Sequence, residues 1–253
     1  MFVRAAGLRL EYREIAGSAD RPAVVFMHDG LGSVSTWRDI PDQVAARTGC
    51  RVVAYSRWGH GASEQLPAPR GVRFMHDEAL RVLPQVLDAL EVENPILVGH
   101  SDGGSIAIIH SGAAIRPVRA LVLFAPHVFV EDLSIASIAA VRENYGSSDL
   151  RERMWKHHGD NVDGTFRGWA DVWLDPAFRS WNIEEYLPRI DRPVLVIQGE
   201  DDEFGTRRQV EAVERQVRGE VEAVMLPQCG HAPHRDQLEV VVGLLCEFVI
   251  REA

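Results

Sequence analysis

A serine near the middle of the chain has the surroundings of a catalytic nucleophile. Ser101 stands in the segment GHSDGG (residues 99–104), which follows a short apolar run and precedes a helical one. A serine on so sharp a turn needs small residues two positions to either side, because larger side chains would clash with the strained backbone. Gly99 and Gly103 occupy those two positions. The segment therefore predicts an exposed Ser101 hydroxyl that attacks a carbonyl carbon, with the backbone N–H of Asp102 facing the resulting oxyanion.

A serine hydroxyl is a weak nucleophile near neutral pH, so a base and an orienting carboxylate must accompany it. The predicted base is His231, which follows the apolar residues 224–226, and the predicted acid is Asp202, which follows the apolar run at 194–197. Spacing alone leaves alternatives at both positions. The competing residues nearby in sequence are Asp201, Glu203 and His234.

The elements that must position these residues are short apolar strands separated by amphipathic helices. Several continuous apolar runs have the length and β-branched content of strands buried on both faces, namely residues 23–27, 52–55, 95–98, 120–124 and 194–197. Their alternation with helical stretches predicts an α/β protein with a mostly parallel, doubly wound sheet. Residues 8–14 are expected to add an antiparallel edge strand. Pro84 is expected to kink or delay the helix marked by leucines over residues 80–90.

The alternation stops after residue 126, where about sixty mostly helical residues precede the next strand. We predict that residues 127–190 form a helical lid inserted into a core built from residues 1–126 and 191–253. Four of the six tryptophans lie in this insertion, and their large flat faces suit contact with an apolar substrate. They are Trp155, Trp169, Trp173 and Trp181, of which the first three are candidate substrate-binding residues.

Taken together, these motifs resemble the α/β-hydrolase superfamily. The shared segments are, in family order, MHDGLGS (27–33), GHGAS (59–63), GHSDGG (99–104), GEDD (199–202) and GH (230–231). The resemblance covers essentially the whole chain and is closer to small lidded members such as 3-oxoadipate enol-lactonases and valacyclovirase-like esterases. It implies the order serine, acid, histidine, and it selects Asp202 and His231 by their distances from the family's glycines. His234 is then expected at the surface or at the start of the last helix.

The same resemblance implies a second oxyanion donor in the loop after the first buried strand, namely the backbone N–H of Gly30 or of Leu31. Asp29 departs from the family pattern, because a glycine usually stands there. A carboxylate beside an oxyanion would oppose its charge unless it turns away or is neutralised. The simplest expectation is that Asp29 pairs with a nearby arginine, for example Arg57, and that Asp102 caps its helix. The alternative is that one of these two carboxylates binds a cationic group of the substrate.

Arg57 and Trp58 begin the loop that, in relatives, borders the acyl pocket. They are candidates for binding a carboxylate and an apolar group of the substrate. An equally good interpretation is that both side chains only brace the loop.

The expected activity is hydrolysis of a small carboxylic ester or lactone through an acyl-enzyme, because that reaction needs only the predicted serine, histidine and aspartate. Carbon–carbon bond hydrolases, thioesterases and cofactor-free haloperoxidases of the same fold are alternatives. Dehalogenases and epoxide hydrolases are disfavoured, because they use an aspartate where Ser101 stands. A non-enzymatic receptor that keeps the three residues is a further alternative.

The composition of the chain limits the kinds of partner and cofactor that we expect. The formal net charge is -10 and no basic stripe stands out, which argues against a nucleic-acid partner. The ten histidines contain no HExxH pattern, and no phosphate-binding glycine loop is present, so we expect neither a metal nor a cofactor. No apolar segment predicts a signal peptide or a membrane span, and Cys50, Cys229 and Cys246 are expected to be free thiols. We therefore expect a cytoplasmic protein that acts on a small-molecule substrate, with its oligomeric state left open.

Overall fold

A computed structural model describes residues 1–253 as an α/β protein built on one eight-stranded sheet. The strands are β1 (Phe2–Ala5), β2 (Leu8–Ile15), β3 (Val24–Met27), β4 (Val52–Tyr55), β5 (Ile96–His100), β6 (Ala120–Phe124), β7 (Val194–Gly199) and β8 (Val221–Leu226). Their order across the sheet is β1-β2-β4-β3-β5-β6-β7-β8. The β1–β2 and β2–β4 pairs are antiparallel and all later pairs are parallel. The predicted fold class is confirmed, and so is the antiparallel direction of the strand predicted at residues 8–14. Its predicted position at the edge is wrong, because β1 pairs with its outer side and forms the edge instead.

Helices cover both faces of the sheet. They are α1 (Ile40–Thr48), α2 (Phe74–Asp77), α3 (Leu83–Ala89), α4 (Asp102–Ala113), α5 (Asp132–Asn144), α6 (Leu150–His158), α7 (Val162–Trp173), α8 (Arg208–Gln216), α9 (Pro233–Asp236) and α10 (Leu238–Glu252). Helices α1 and α10 pack on one face, and α3, α4 and α8 pack on the other, which buries the apolar strands from both sides. None of the helices is long and apolar enough to cross a bilayer.

The helix predicted over residues 80–90 is part of a longer helical segment that begins at Phe74 and ends at Ala89. The short helix α2 leads into a π-helical turn at Glu78–Val82, and α3 begins at Leu83. Pro84 stands in the first turn of α3, directly after the π-helical turn, and it has no backbone N–H to donate to the preceding helical turn. The expected delay of the helix is therefore wrong, and the disturbance next to Pro84 is the π-helical turn that precedes it.

Between β6 and β7 the chain leaves the sheet and forms α5, α6 and α7, followed by two short 3₁₀ turns. We call residues 127–190 the insert. Aromatic side chains pack within it: Trp173 meets Phe178 edge-on with 5.1 Å between ring centroids, and Phe178 stacks on Trp181 at 5.2 Å. Such pairs contribute about 0.5–1.5 kcal/mol beyond the burial of their surface. Part of the tryptophan content of the insert therefore stabilises the insert itself.

Candidate active site

Ser101 lies on the turn between β5 and α4, at the carboxyl edge of the sheet. Its backbone angles, φ 52° and ψ -118°, are ones that residues other than glycine rarely adopt. A Cβ atom on Gly99 would lie 2.4 Å from the carbonyl oxygen of Gly103, and one on Gly103 would lie 2.1 Å from that of Met27. Both glycines of the sequence motif are therefore required by close backbone contacts at the turn.

Three side chains form a hydrogen-bonded chain that ends at Ser101. Nε2 of His231 lies 2.9 Å from Oγ of Ser101, and Nδ1 of His231 lies 2.9 Å and 3.0 Å from the two carboxylate oxygens of Asp202. The N–H groups of Phe204 and Gly205 donate to Oδ1 of Asp202 at 2.8 Å and 3.1 Å, which fixes the carboxylate. Because the three residues follow β5, β7 and β8, the parallel strands bring them to one edge of the sheet.

The charges of Asp202 and His231 support each other. Burial lowers the pKa of His231, but the hydrogen bond and negative charge of Asp202 outweigh burial, and the pKa is raised above its ordinary value. Burial raises the pKa of Asp202, but the hydrogen bond and charge of His231 and the N–H of Phe204 together outweigh it, so the pKa is lowered and the carboxylate is ionised at neutral pH. His100 and His127 lie against the His231 ring, and burial lowers their pKa values to about 4 and about 3. Of these three rings, His231 alone has a pKa that is raised rather than lowered.

The other candidates for acid and base are placed differently. Asp201 is exposed, and Glu203 accepts the backbone N–H of His231 at 3.1 Å rather than a ring N–H. Of the two positions expected for His234, the surface is wrong, whereas a place near the start of the last helix is right, since α9 directly precedes α10. The side chain of His234 is buried and its ring stacks on Phe124, with 5.7 Å between ring centroids. The reason is that the short helix α9 packs against β7 and turns His234 toward the core.

Backbone donors are available beside Ser101. Asp102 is the first residue of α4, so its N–H has no acceptor within the helix. Gly30 and Leu31 lie in the loop after β3, and their N–H groups donate to no acceptor in the protein. A Cβ atom on Gly30 would lie 2.2 Å from Cδ1 of Trp169. A glycine at position 30 therefore leaves room for a tryptophan of α7, which packs directly on this loop.

A cleft of about 370 Å³ opens above Ser101 and is bounded by the insert. The predicted residues that line it are Asp29, Gly30, Leu31, Ser101, Trp169, Trp173 and His231. The other lining residues are His100, His127, Ile138, Val141, Leu150, Arg153, Glu203, Phe204, Ala232, Arg235 and Asp236. Sequence reasoning did not identify this second group as cleft residues, because most lie on the insert or on loops without a motif. The helical spacing of Ile138 and Val141 on α5 was the available signal.

Three predicted binding residues do not line this cleft, and the expectation that they contact substrate is corrected. Trp155 is 54% exposed, and its neighbour Met154 is buried on the inner face of α6 instead. Trp58 lines a second cavity together with Arg70. Arg57 is 1% exposed and lies beneath the loop after β3. None of the three reaches the space above the serine.

Asp29 lies at the edge of the cleft, and its carboxylate pairs with a nearby arginine as expected, but that arginine is Arg235 and not Arg57. Its Oδ2 atom is 3.5 Å from Nδ1 of His100 and 4.0 Å from Nη2 of Arg235. Burial raises the pKa of Asp29, but the charges of the surrounding imidazole and guanidinium groups outweigh burial, and the pKa is lowered. Asp29 is therefore an ionised carboxylate in the cleft, with Arg235 as its more exposed neighbour.

Asp102 lies beneath the cleft, and its side chain does not cap α4 as expected. Its Oδ1 accepts the indole N–H of Trp173 at 3.2 Å, and its Oδ2 lies 3.8 Å from Nη2 of Arg57. Burial raises the pKa of Asp102 more than the charge of Arg57 lowers it. Since the side chain is 1% exposed and does not line the cleft, it offers no site for a substrate cation.

Proteins similar to this chain are known. Residues 24–244 match the family model described as alpha/beta hydrolase family. An sn-1-specific diacylglycerol lipase ABHD11 of Danio rerio is 23% identical over 209 residues, which cover 83% of this chain but 60% of the length of that relative. A proline iminopeptidase of Lactobacillus delbrueckii subsp. lactis is 30% identical over 231 residues, covering 76% of this chain and 78% of the relative. The crystal structure of a serine hydrolase involved in carbazole degradation (CarC enzyme) superposes with a TM-score of 0.77 at 19% identity, covering 98% of this chain and 97% of that one.

Proposed function

The chain belongs to the alpha/beta hydrolase family, and from that membership we propose that it is a serine hydrolase that cleaves a small carboxylic ester or lactone. One observation carries the proposal: Ser101, His231 and Asp202 form a continuous hydrogen-bonded chain at the floor of the cleft. Similarity to a diacylglycerol lipase supports an ester as the bond that is cleaved. The closer resemblance to enol-lactonases remains a prediction.

In the acylation step, Oγ of Ser101 attacks the carbonyl carbon while Nε2 of His231 takes the hydroxyl proton. Their separation of 2.9 Å is within reach for that transfer. Asp202 accepts the Nδ1–H of His231 and, being ionised, stabilises the imidazolium that forms. The negative charge that develops on the substrate oxygen is held by the backbone N–H groups of Gly30 and Asp102.

Breakdown of the tetrahedral intermediate follows. His231 gives its proton to the leaving oxygen, the bond to the leaving group breaks, and the acyl group stays on Ser101. A water molecule then attacks the acyl carbon with His231 again as base, and the serine leaves with the proton. Each step uses groups of this chain and water, and Asp202 keeps His231 oriented throughout.

We extend the proposal to the insert, which acts as a lid over the cleft. Its helices provide an apolar wall that includes Ile138, Val141 and Trp169. A cleft of about 370 Å³ is at the lower end of the range for small-molecule sites. A substrate with a short hydrocarbon acyl group is therefore favoured over one with a long chain.

A second candidate is cleavage of a bond close to a cationic amine. Two observations favour it: Asp29 lines the cleft as an ionised carboxylate, and the relative that is 30% identical is a proline iminopeptidase. Arg235 opposes it, because a guanidinium 4.0 Å from Asp29 already competes for that charge. Neutral and α-amino esters of equal size distinguish the two candidates.

Hydrolysis of a panel of p-nitrophenyl esters and small lactones tests the proposal. We expect turnover of at least one short-chain ester by the wild type and a loss of about 10⁶-fold in kcat on Ser101→Ala. Ser111→Ala, toward the far end of α4, is the matched control and is expected to keep the wild-type rate. Absence of turnover on every ester and lactone would overturn the proposal, and a single acylation without turnover would favour a receptor. Faster cleavage of α-amino esters, lost on Asp29→Asn, would favour the second candidate.

A further inference from the structure

Arg57 is the one arginine whose side chain is fully buried, and its guanidinium holds the loop after β3. Nη1 donates to the carbonyl oxygen of His28 at 2.9 Å, and Nη2 donates to that of Asp29 at 2.8 Å. These two consecutive carbonyl groups directly precede Gly30. The guanidinium therefore fixes the peptide groups that lead into the proposed oxyanion donor.

The ring of His28 is hydrogen-bonded to the carbonyl group of Asp29, one of the two that Arg57 contacts. The backbone N–H of Arg57 donates to Nε2 of His28 at 3.0 Å, so in the neutral ring the hydrogen is carried by Nδ1. Nδ1 then donates to the carbonyl oxygen of Asp29 at 2.8 Å. Burial holds the pKa of His28 well below its ordinary value, which keeps the ring neutral and this tautomer in place. The Asp29 carbonyl therefore accepts two hydrogen bonds, one from a cation and one from a neutral ring.

The carbonyl of Asp29 and the N–H of Gly30 belong to one peptide group. That group is trans, so its C=O and N–H point in opposite directions. Arg57 lies outside the cleft and Gly30 lines it, so a carbonyl held toward Arg57 leaves the N–H directed to the cleft side. A cation at the carbonyl oxygen also polarises the amide and strengthens the hydrogen bond that its N–H donates.

We propose that Arg57 is a positioning residue of the oxyanion hole. From the side away from the cleft, its guanidinium orients and polarises the peptide group to which the N–H of Gly30 belongs. This inference rests on the proposed serine hydrolase function. Arg57 also faces the second donor residue, since its Nη2 lies 3.8 Å from Oδ2 of Asp102 and both side chains are 1% exposed. One buried cation thus connects the loop after β3 to the start of α4. Removal of Arg57 leaves the buried carboxylate of Asp102 without its cationic partner, which lowers the stability of the fold. An experiment must therefore separate that loss of stability from the misalignment of the Gly30 N–H.

Steady-state kinetics of three variants on the best ester makes this separation. Arg57→Met should lower kcat about 10- to 100-fold with little change in KM, because the lost alignment matters in the transition state. Arg57→Met combined with Asp102→Asn should recover thermal stability but not kcat, because the backbone N–H groups are still misaligned. Arg57→Lys keeps the charge but not the two-pronged donor, and it should recover kcat only in part. Arg70→Met removes the neighbouring arginine that donates to the carbonyl of Trp58, and as the matched control it should keep the wild-type kcat.

Inhibition by an alkyl boronic acid gives a readout that a merely structural role would not move. The tetrahedral adduct on Ser101 places an oxygen where the oxyanion forms, so its affinity should weaken in Arg57→Met by the same factor as kcat/KM. An alcohol that competes for the cleft without forming an adduct should bind Arg57→Met as it binds the wild type. Unchanged kcat, or unchanged boronate affinity, in folded Arg57→Met would overturn the role of Arg57. A wild type that cleaves no ester would overturn the proposed function itself, which is a different result.

Discussion

On one side of Ser101 lie the two side chains that we propose move a proton, and on the other side lie the backbone N–H groups that we propose hold the oxyanion. On the proton side, His231 keeps 13% of its side chain exposed, and Asp202 is the carboxylate that accepts a hydrogen bond from its ring. On the oxyanion side, the supporting side chains of His28 and Arg57 are each 1% exposed. The proton side depends on the charge of side chains and the oxyanion side on the direction of peptide groups. Substitutions on the two sides should therefore fail for different reasons.

The largest contrast is expected from Asp202→Asn, which changes charge on the proton side and almost no volume. The amide cannot stabilise an imidazolium and favours the wrong tautomer of His231, so kcat should fall about 10⁴-fold. Asp201→Asn is the matched control, because this neighbour is exposed, and it should keep the wild-type rate. The rates are measured on the ester that the wild type cleaves best. A greater loss from Asp201→Asn than from Asp202→Asn would reassign the acid.

On the oxyanion side, a single methyl group should be damaging without any change of charge. The Cβ of Gly30→Ala would lie 2.2 Å from Cδ1 of Trp169, so the loop or the tryptophan must move. A displacement of about 1 Å at a catalytic donor lowers kcat by about 10²-fold. Trp169→Leu in the same chain makes room and should restore part of that loss. Gly164→Ala is the control, because Gly164 lies on α7 with Trp169 but no atom lies within 4 Å of its added Cβ. It should have no effect on kcat.

This account would be contradicted if the loss of kcat in the Gly30→Ala, Trp169→Leu double variant equalled the sum of the losses in the two single variants. A steric conflict between two residues must be relieved when one of them becomes smaller.

The pH dependence of kcat/KM should separate the two sides without relying on the size of a loss. His231 must be neutral to act as a base, and Asp202 raises its pKa, so activity should fall as the pH drops through a value above the ordinary 6.5. Asp202→Asn removes the group that raises this pKa, and the acid limb should move to lower pH. Arg57→Met should lower the rate and leave the limb in place. An equal displacement of the limb in both variants would mean that the two sides are coupled.

Features that leave a local pattern in the sequence could be predicted, whereas the directions of packed side chains could not. Buried strands are continuous apolar runs, so the sheet was readable, and Ser101 is placed by two glycines that backbone contacts require. The direction of a side chain between packed elements has no such local signal. Arg57 remained open between binding substrate and bracing a loop, and only the packing beneath the loop after β3 shows which groups it contacts. His234 was expected at the surface or at the start of the last helix because His231 matches the family's glycine-histidine loop, yet tertiary packing buries the ring.

The smallest effects are expected in the insert, where an inner and an outer tryptophan offer a matched pair. Trp169 is 8% exposed and lines the cleft, whereas Trp155 is 54% exposed and does not. Trp169→Ala should raise KM several-fold and lower the free energy of unfolding by about 3 kcal/mol, and Trp155→Ala should change the free energy of unfolding by no more than about 0.5 kcal/mol. Esters of increasing acyl length and urea denaturation provide both measurements. Because Trp169 also packs on Gly30, its effect on KM should grow with acyl length if it contacts substrate, while its effect on kcat should stay constant if it supports the loop.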